Sequence, residues 1–495
     1  MALSRILRSS TNLSATSLIA NQLTRICRSF ASTSSTSSLA ASSDYYDVIV
    51  VGGGLVGNAM ACNFGLNSSF KEKKLLLLEA GGTRSLGSPS KLYSNRVSAV
   101  SPSSKRLFQK LGIWDRLEAY RVKSVRQLQV MDSCSQSAIH FERQSFQSEV
   151  AWIIENDAMI GALFDKLASD CSKNVTVKSK ARLKSCSLPA DTSELAQVVL
   201  EDGSVFETKL IIGADGAKSK VREAMEIGYT GWEYGQKAIV ATLQVSGGAD
   251  NEVAWQRFTP FGPVAILPLS ANLSSLQRFT PFGPVAILPL SANLSSLVWT
   301  TSPDKCDQLL ALNEDEFVDQ LNEALWSEET QDSFVNKALF TVDSMLSTVL
   351  PATSVVQLPP TITGLQSDSR AAFPLGFGHA HTYVKPRAAL IGDAAHRVHP
   401  LAGQGVNLGW GDVQELIEVL QKVVRSGGDL GSMTSLAEYD SRRQMRNVPT
   451  MVAIDWLNRL YGTNFAPVVM ARSLGLYGVN RFGALKNLIM DRASA

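Results

Sequence analysis

"YDVIVVGGGLVGNAMA", Tyr46–Ala61, decides the fold. Four apolar β-formers, Val48 to Val51, run directly into Gly52, Gly54 and Gly57 at GxGxxG spacing, and a helical pattern begins near Leu55. A strand that ends in such a loop at a helix N-terminus presents free backbone N–H groups, and the glycines let a dinucleotide pyrophosphate approach them. The next strand lies in "KKLLLLEAGG" and ends at Glu79, roughly 25 residues beyond Gly54, near where an acid takes a ribose hydroxyl. Strand, loop, helix and terminal acid come in the order a dinucleotide-binding βαβ unit requires. The loop alone does not choose among NAD, NADP and FAD.

The chain has 495 residues, 45% of them hydrophobic, enough for a large core and for two or more domains. A net charge of +2 and the lack of any long run of like charge argue against nucleic-acid binding. The six cysteines include no CxxC pair and read as reduced thiols, with no disulfide framework or metal site. His379 with His381 also lacks metal-ligand company, so no metal is expected. After Asp44 no apolar run is long enough to span a membrane.

Residues 1–43 are rich in Ser and Thr, carry Arg5, Arg8, Arg25 and Arg28, and contain no acid. Leu3, Ile6 and Leu7 can share one face of a basic helix. This is the pattern of a mitochondrial transit peptide and linker, with "RSFAS" (Arg28–Ser32) placing the cut after Phe30. Residues 231–365 are proline-punctuated and β-like. They read as a mostly antiparallel sheet that forms the other wall of a pocket. Within them "QRFTPFGPVAILPLSANLSSL" occurs at 256–276 and again, unchanged, at 277–297. Two perfect copies indicate a recent duplication or a gene-model artefact, and only one "AILPL" can keep the sheet register.

Two downstream motifs narrow the ligand. In "KLIIGADGAKSKVRE" a strand ends at Gly213, followed by Asp215, Gly216, Ser219 and Arg222; alone this is more often a turn with a helix cap than a ligand site. In "RAALIGDAAHRVHPLAGQGVNLGWGDV" (Arg387–Val413) a strand runs into Gly392-Asp393, then a loop with Gly403, Gly405 and Asn407, then a helix with Val413, Leu416, Ile417 and Leu420 on one face. A carboxylate at Asp393 suits a sugar hydroxyl, and the glycines admit a flat ligand to the helix start.

These three motifs, in this order, resemble the flavoprotein aromatic hydroxylases of the para-hydroxybenzoate hydroxylase type. "SNRVSAVSPSS" (Ser94–Ser104), "WIIEND" (Trp152–Asp157), "GPVAILPL", "FPLGFGHA" (Phe373–Ala380) and the Asp393 motif are similar to the ubiquinone-biosynthesis hydroxylase subfamily. The resemblance runs from Tyr46 to the C-terminus, apart from the extra repeat. It implies an α/β fold: a Rossmann-like FAD-binding domain (44–130, 151–230 and 366–428), a mostly antiparallel β-sheet substrate domain (131–150 and 231–365) and a helical C-terminal region (429–495). It implies FAD as cofactor, with Gly52, Gly54 and Gly57 at the pyrophosphate and Glu79 at the adenosine ribose. Arg96 would touch the flavin, Asp215 and Gly216 lie near the pyrophosphate, and Gly392-Asp393 meets the ribityl chain. The loop Pro400–Asn407, with Gly403 and Gly405, would follow the isoalloxazine edge.

The implied activity is ring hydroxylation of a polyprenyl phenol by molecular oxygen, at position five of 3-polyprenyl-4-hydroxybenzoate. Electrons would come from a mitochondrial ferredoxin and its reductase, within a ubiquinone-synthesis complex at the matrix face of the inner membrane. Because a cofactor carries the hard chemistry, no catalytic triad is needed. His396 and His399 stand in the flavin loop; His399 and Pro400 are catalytic candidates, and a bracing role for the histidines is favoured. Residues 441–495 carry eight Lys or Arg against two acids among apolar stretches, a composition that fits a membrane surface, a partner, or packing on the nucleotide domain. Rival readings are a hydroxylase of another phenol or lipid, and a noncatalytic FAD-bearing scaffold.

Overall fold

The computed structural model describes residues 44–135, 137–142, 149–246, 253–259, 262–263, 285–291, 293–326, 333–346, 361–481 and 486. Residues 1–43, read as a transit peptide and linker, therefore lie outside the described residues.

The opening stretch forms β1 (Asp44–Val51), α1 (Leu55–Leu66) and β2 (Leu75–Leu78). Then come β3 (Val97–Val100), α2 (Pro102–Lys110), α3 (Trp114–Tyr120), β4 (Lys123–Val125), β5 (Gln127–Asp132), β6 (Ala138–Glu142) and β7 (Ala151–Glu155). α4 (Asn156–Asp170) leads into β8 (Val175–Lys178), β9 (Leu183–Ser187), β10 (Ala196–Leu200), β11 (Val205–Gly213) and α5 (Lys220–Ala224). The middle of the chain contributes β12 (Tyr229–Val245), β13 (Val253–Thr259), β14 (Gly262–Pro263), β15 (Val285–Pro289), β16 (Leu294–Thr301), α6 (Pro303–Ala311), α7 (Glu314–Trp326) and α8 (Ser333–Leu346). The last part holds β17 (Ile362–Leu365), β18 (Ala371–Ala380), β19 (Val384–Lys385), β20 (Ala388–Leu390), β21 (His396–Arg397), α9 (Gln404–Arg425), α10 (Met433–Tyr461) and α11 (Ala466–Arg481).

The nucleotide sheet runs β19-β20-β11-β1-β2-β8, with β10 and β9 added beside β11. β1 and β2 are parallel, with Val48 opposite Leu75 and Val51 opposite Leu78. Their paired residues, Val48–Val51 and Leu75–Leu78, are unbroken apolar runs because both faces of the sheet are covered there. α9 lays Val413, Leu416, Ile417 and Leu420 into the same core, the face its sequence spacing predicts.

The second sheet runs β21-β18-β12-β16-β15-β13-β5-β6, with β14 and β17 to the side. It is antiparallel except where β13 lies parallel to β5. Its strands alternate as a half-buried sheet should: Ile239, Ala241, Leu243, Leu297 and Trp299 pack on Phe317 and Leu321 of α7, while Val240 and Val298 face a cavity. The sheet also takes β18 and β21, which the sequence reading groups with the nucleotide-binding segments.

Register resolves the repeat. β13 begins the first copy at Gln256, and β14 continues it to Pro263. β15 and β16 then resume at Val285 in the second copy, pairing Val285 with Trp299 through Pro289 with Ser295. The strands thus use the first third of one copy and the rest of the other, together one complete repeat. The first copy's "AILPL" lies outside the described residues.

Candidate functional site

The sequence motifs converge because their strands are neighbours. Gly52 N–H bonds Leu78 O at 2.8 Å, Ala214 N–H bonds Val51 O at 2.8 Å, and Ile391 N–H bonds Gly213 O at 2.9 Å. The ends of β2, β1, β11 and β20 therefore stand side by side, where open α/β sheets bind their ligands.

At the end of β1 the loop is shaped by close approach. A Cβ on Gly57 would stand 1.9 Å from the Gly52 carbonyl oxygen. At Gly54 no atom lies within 4 Å of the Cβ position, and no side chain caps α1. The first N–H groups of α1 thus remain available to an anion. Glu79 accepts from Gly53 N–H at 2.7 Å and Gly81 N–H at 2.6 Å, so its carboxylate braces the loop and keeps lone pairs for a ligand hydroxyl.

Asp215 is occupied differently. It accepts from Ser219 Oγ at 2.5 Å and from the backbone N–H of Lys220 and Val221 at 2.8 and 3.3 Å. Its carboxylate caps α5, while Gly216 turns the chain at φ +80°. Lys218, a little further on, lines the cavity.

Asp393 follows β20 and opens onto a cavity of about 2170 Å³, shared with Arg96, Pro400, Gly403, Gly405 and Asn407. Its carboxylate takes no hydrogen bond among the described residues. Its surface faces the cavity while protein surrounds it on the other sides, and this burial pushes its carboxyl above the usual range. An acceptor open to the cavity and without a donor is suited to a ligand hydroxyl. Asn407 fixes the loop beside it, donating to Ala99 O at 2.8 Å and Gly403 O at 3.0 Å and accepting from Ser101 N–H and Ser104 Oγ. Gly403 adopts the left-handed conformation, φ +62°, where its Cβ position is 3.1 Å from Ala99.

Of the two catalytic candidates, Pro400 lines the cavity, whereas His399 is buried behind the loop, edge-on to Tyr234 at 5.1 Å. Burial holds His399 down at about 3, so it is neutral. His396 bonds Asp412 through Nε2 at 2.6 Å. Asp412 also accepts from Gly392 N–H at 2.8 Å, Arg443 Nε at 2.7 Å and Asn447 Nδ2 at 3.2 Å. Burial alone would raise Asp412, yet His396 and Arg443 outweigh it and hold the carboxyl at about 2. This knot locks the Gly392 turn to α9 and α10, and sequence reasoning missed it. Its signal was Arg443 and Asn447, four residues apart and so on one face of a helix.

Sequence reasoning also missed the far end of the cavity. There Leu128, Val130, Ile139, Phe141 and Phe258 of the second sheet oppose Ile454, Leu460 and Tyr461 of α10 and Leu476 and Val479 of α11. Arg472 bolts the two together, donating to Asp132 at 2.8 and 3.0 Å. Among the described residues no group of three or more His, Cys, Asp or Glu could hold a metal. Cys62, Cys134, Cys171, Cys186 and Cys306 are free thiols.

The family model for an FAD binding domain matches residues 45–355 and 357–451. The chain is 48% identical over 459 residues to the Caenorhabditis elegans protein named ubiquinone biosynthesis monooxygenase COQ6, mitochondrial, covering 92% of this chain and 96% of that one. The Homo sapiens protein of that name is 44% identical, over 91% and 92% of the two chains. The Schizosaccharomyces pombe protein is 32% identical, over 90% and 91%. The chain belongs to the COQ6 family of ubiquinone biosynthesis monooxygenases. It is an FAD-dependent monooxygenase, and the open start of α1 and the free Asp393 carboxylate fit that cofactor. Solved structures share the fold: p-nitrophenol 4-monooxygenase PnpA from Pseudomonas putida DLL-E4 superposes with TM-score 0.61 at 15% identity, over 91% of this chain and 99% of that one. PqsL from Pseudomonas aeruginosa, a probable FAD-dependent monooxygenase, gives 0.60 at 17%, over 88% and 100%.

Proposed function

We propose that this COQ6-family enzyme hydroxylates the aromatic ring of a polyprenyl phenol in ubiquinone biosynthesis, at position five of 3-polyprenyl-4-hydroxybenzoate. The observation that carries this reading is the cavity. Its volume of about 2170 Å³ takes in the flavin's place beside Asp393, and beyond that loop it continues into an apolar recess between the second sheet and α10 and α11. A ring beside the loop with an isoprenoid tail in the recess uses both ends; a small, soluble phenol uses one.

Bound FAD supplies the electron store that lets molecular oxygen react with the ring. One oxygen atom enters the ring, the other leaves as water, and a donor provides two electrons. The protein's part is positioning and dryness. Asp393 would accept a hydrogen bond from the ribityl chain, Asn407 and the Asp412 knot hold the loop geometry, and Leu128, Val130 and Phe258 line a recess that would keep water from the tail. None of these tasks calls for a side-chain acid or base at the ring, consistent with the neutral, enclosed His399.

The relatives' names support a mitochondrial setting; on this reading the enzyme works at the matrix face of the inner membrane, in contact with other quinone-synthesis enzymes. The donor on this reading is a mitochondrial ferredoxin with its reductase, and reduction by NADPH alone at a turnover-competent rate would refute it. The pathway is tested by mass spectrometry of quinone intermediates in cells lacking the protein. The expected result is a prenylated ring short of one hydroxyl, cleared when the protein is restored. An unchanged quinone pool, with redundancy excluded, contradicts the reading.

A further inference from the structure

From Arg443 onward α10 is dressed inside out. Its protein-facing side buries Arg443, Asn447 and Asn458 beside Met451, Ile454 and Tyr461. Its outer side carries Met445, 79% exposed, Val452, 55%, Trp456, 66%, and Leu457, 39%, with exposed Pro449 and Ala453 between them. Spacings of three and four residues line these up as one stripe. Phe465, 63% exposed, follows in the turn to α11. Single exposed apolar residues are ordinary on a protein surface; a continuous outward stripe of them along one helix is not.

Charge narrows what the stripe meets. Between Met445 and Phe465 the chain has one acid, Asp455, and it is engaged by Tyr234 at 2.9 Å and Arg459 at 2.8 Å. Arg446 stands exposed beside the stripe and forms no ion pair among the described residues. An apolar stripe edged by arginine, with no free carboxylate, complements an anionic lipid surface. No helix among the described residues is long and apolar enough to cross a membrane, so the contact is from one side.

The stripe is also the rim of the cavity. Trp456 and Leu457 are exposed and line the cavity at once, and Pro449, Thr450 and Ala453 line it too. We propose that the outer face of α10 lies in the headgroup layer of an anionic phospholipid bilayer and that the cavity opens through it, so that an isoprenoid tail passes from lipid into protein without crossing water. The passage of the tail rests on the substrate class proposed above; the lipid contact does not.

Flotation of the FAD-loaded full chain with phosphatidylcholine vesicles, with and without an anionic phospholipid, tests the contact. The wild type is expected to float, more strongly with the anionic lipid. Met445→Glu/Val452→Glu alters the stripe at positions that do not line the cavity and is expected to weaken flotation about tenfold or more. It should keep its FAD and its turnover of a short-tailed phenol in solution, while KM rises for a long-tailed phenol held in vesicles. Arg446→Glu should remove the anionic preference. A wild type that stays with the soluble fraction, or a double variant that floats like it, overturns the proposal. So does a change in the sedimentation of lipid-free protein upon Met445→Glu/Val452→Glu, which would make the stripe an interface between copies of the chain. Flotation without turnover of any prenylated phenol would leave the lipid surface standing and overturn the substrate reading and the tail's route.

Discussion

The nucleotide cradle and the far end of the cavity are built on opposite plans. The cradle is backbone: glycine turns, helix N–H groups and strand ends, joined by bonds such as Gly52 N–H to Leu78 O. The far end is side chain, assembled from segments far apart in sequence, as Arg472 bonding Asp132, 340 positions earlier, illustrates. A backbone-built site leaves a local trace in sequence, because a glycine is needed at a fixed offset from a strand. A side-chain-built site leaves only apolar residues that any core would use.

The difference predicts where substitutions act. Gly57→Ala should have the largest effect: a Cβ 1.9 Å from the Gly52 carbonyl cannot be accommodated without moving the loop. Purified variant should carry no FAD by absorbance, and retention of the wild-type flavin content would break the account of the cradle. Next comes Arg443→Leu, which leaves Asp412 buried without its guanidinium. A loss of about 3–5 kcal/mol is expected in denaturant unfolding. Asp412 makes the same point with pH. Its folded carboxyl is depressed to about 2, so its stabilisation is present above the ordinary carboxylate range and is lost as pH falls toward that value.

A pair of variants sharpens the contrast directly. Asp393→Ala should weaken FAD binding by about 10- to 100-fold in a fluorescence titration, since a charge-assisted hydrogen bond is lost. Leu476→Trp, which fills the far end, should leave FAD binding unchanged and raise KM for long-tailed substrates about tenfold. Equal effects of both on FAD would merge the two regions into one.

His399 gives an effect confined to acid pH. Its folded value is depressed from 6.5 to about 3, so the unfolded chain binds the proton more readily. Stability should fall as pH drops below about 6.5, by about 1.4 kcal/mol per unit, until the folded value is reached. His399→Phe should flatten this limb in melts run across the range. The smallest effect is expected for deletion of residues 264–284. This removes one repeat length and joins Pro263 to Val285, restoring a single uninterrupted copy. The melting midpoint and FAD content should stay near wild type, and collapse of either would show that the sheet depends on both copies.

The sequence reading reached what is local. The Val48–Val51 strand, the apolar run ending at Glu79 and the α9 face of Val413, Leu416, Ile417 and Leu420 all stand as their periodicity implies. It could not assign Asp215 between ligand and cap, because the carboxylate's neighbours are backbone N–H groups whose direction depends on the turn. It did not reach the Asp412 knot, whose members come from three separate segments, or the burial of His399 by Tyr234, 165 positions earlier in the chain. Nor did it place β18 across β12, a pairing set by tertiary register rather than by pattern.

The central claim is that one cavity serves both ring chemistry and an isoprenoid tail. The most direct test supplies purified, FAD-loaded protein with reducing equivalents from a ferredoxin system, isotopically heavy oxygen gas, and a matched pair of phenols with and without the prenyl tail. The account predicts that one heavy oxygen atom enters the ring of the prenylated phenol at position five, with the tail-less phenol far slower. Equal turnover of the two, or product oxygen drawn from water, would contradict it.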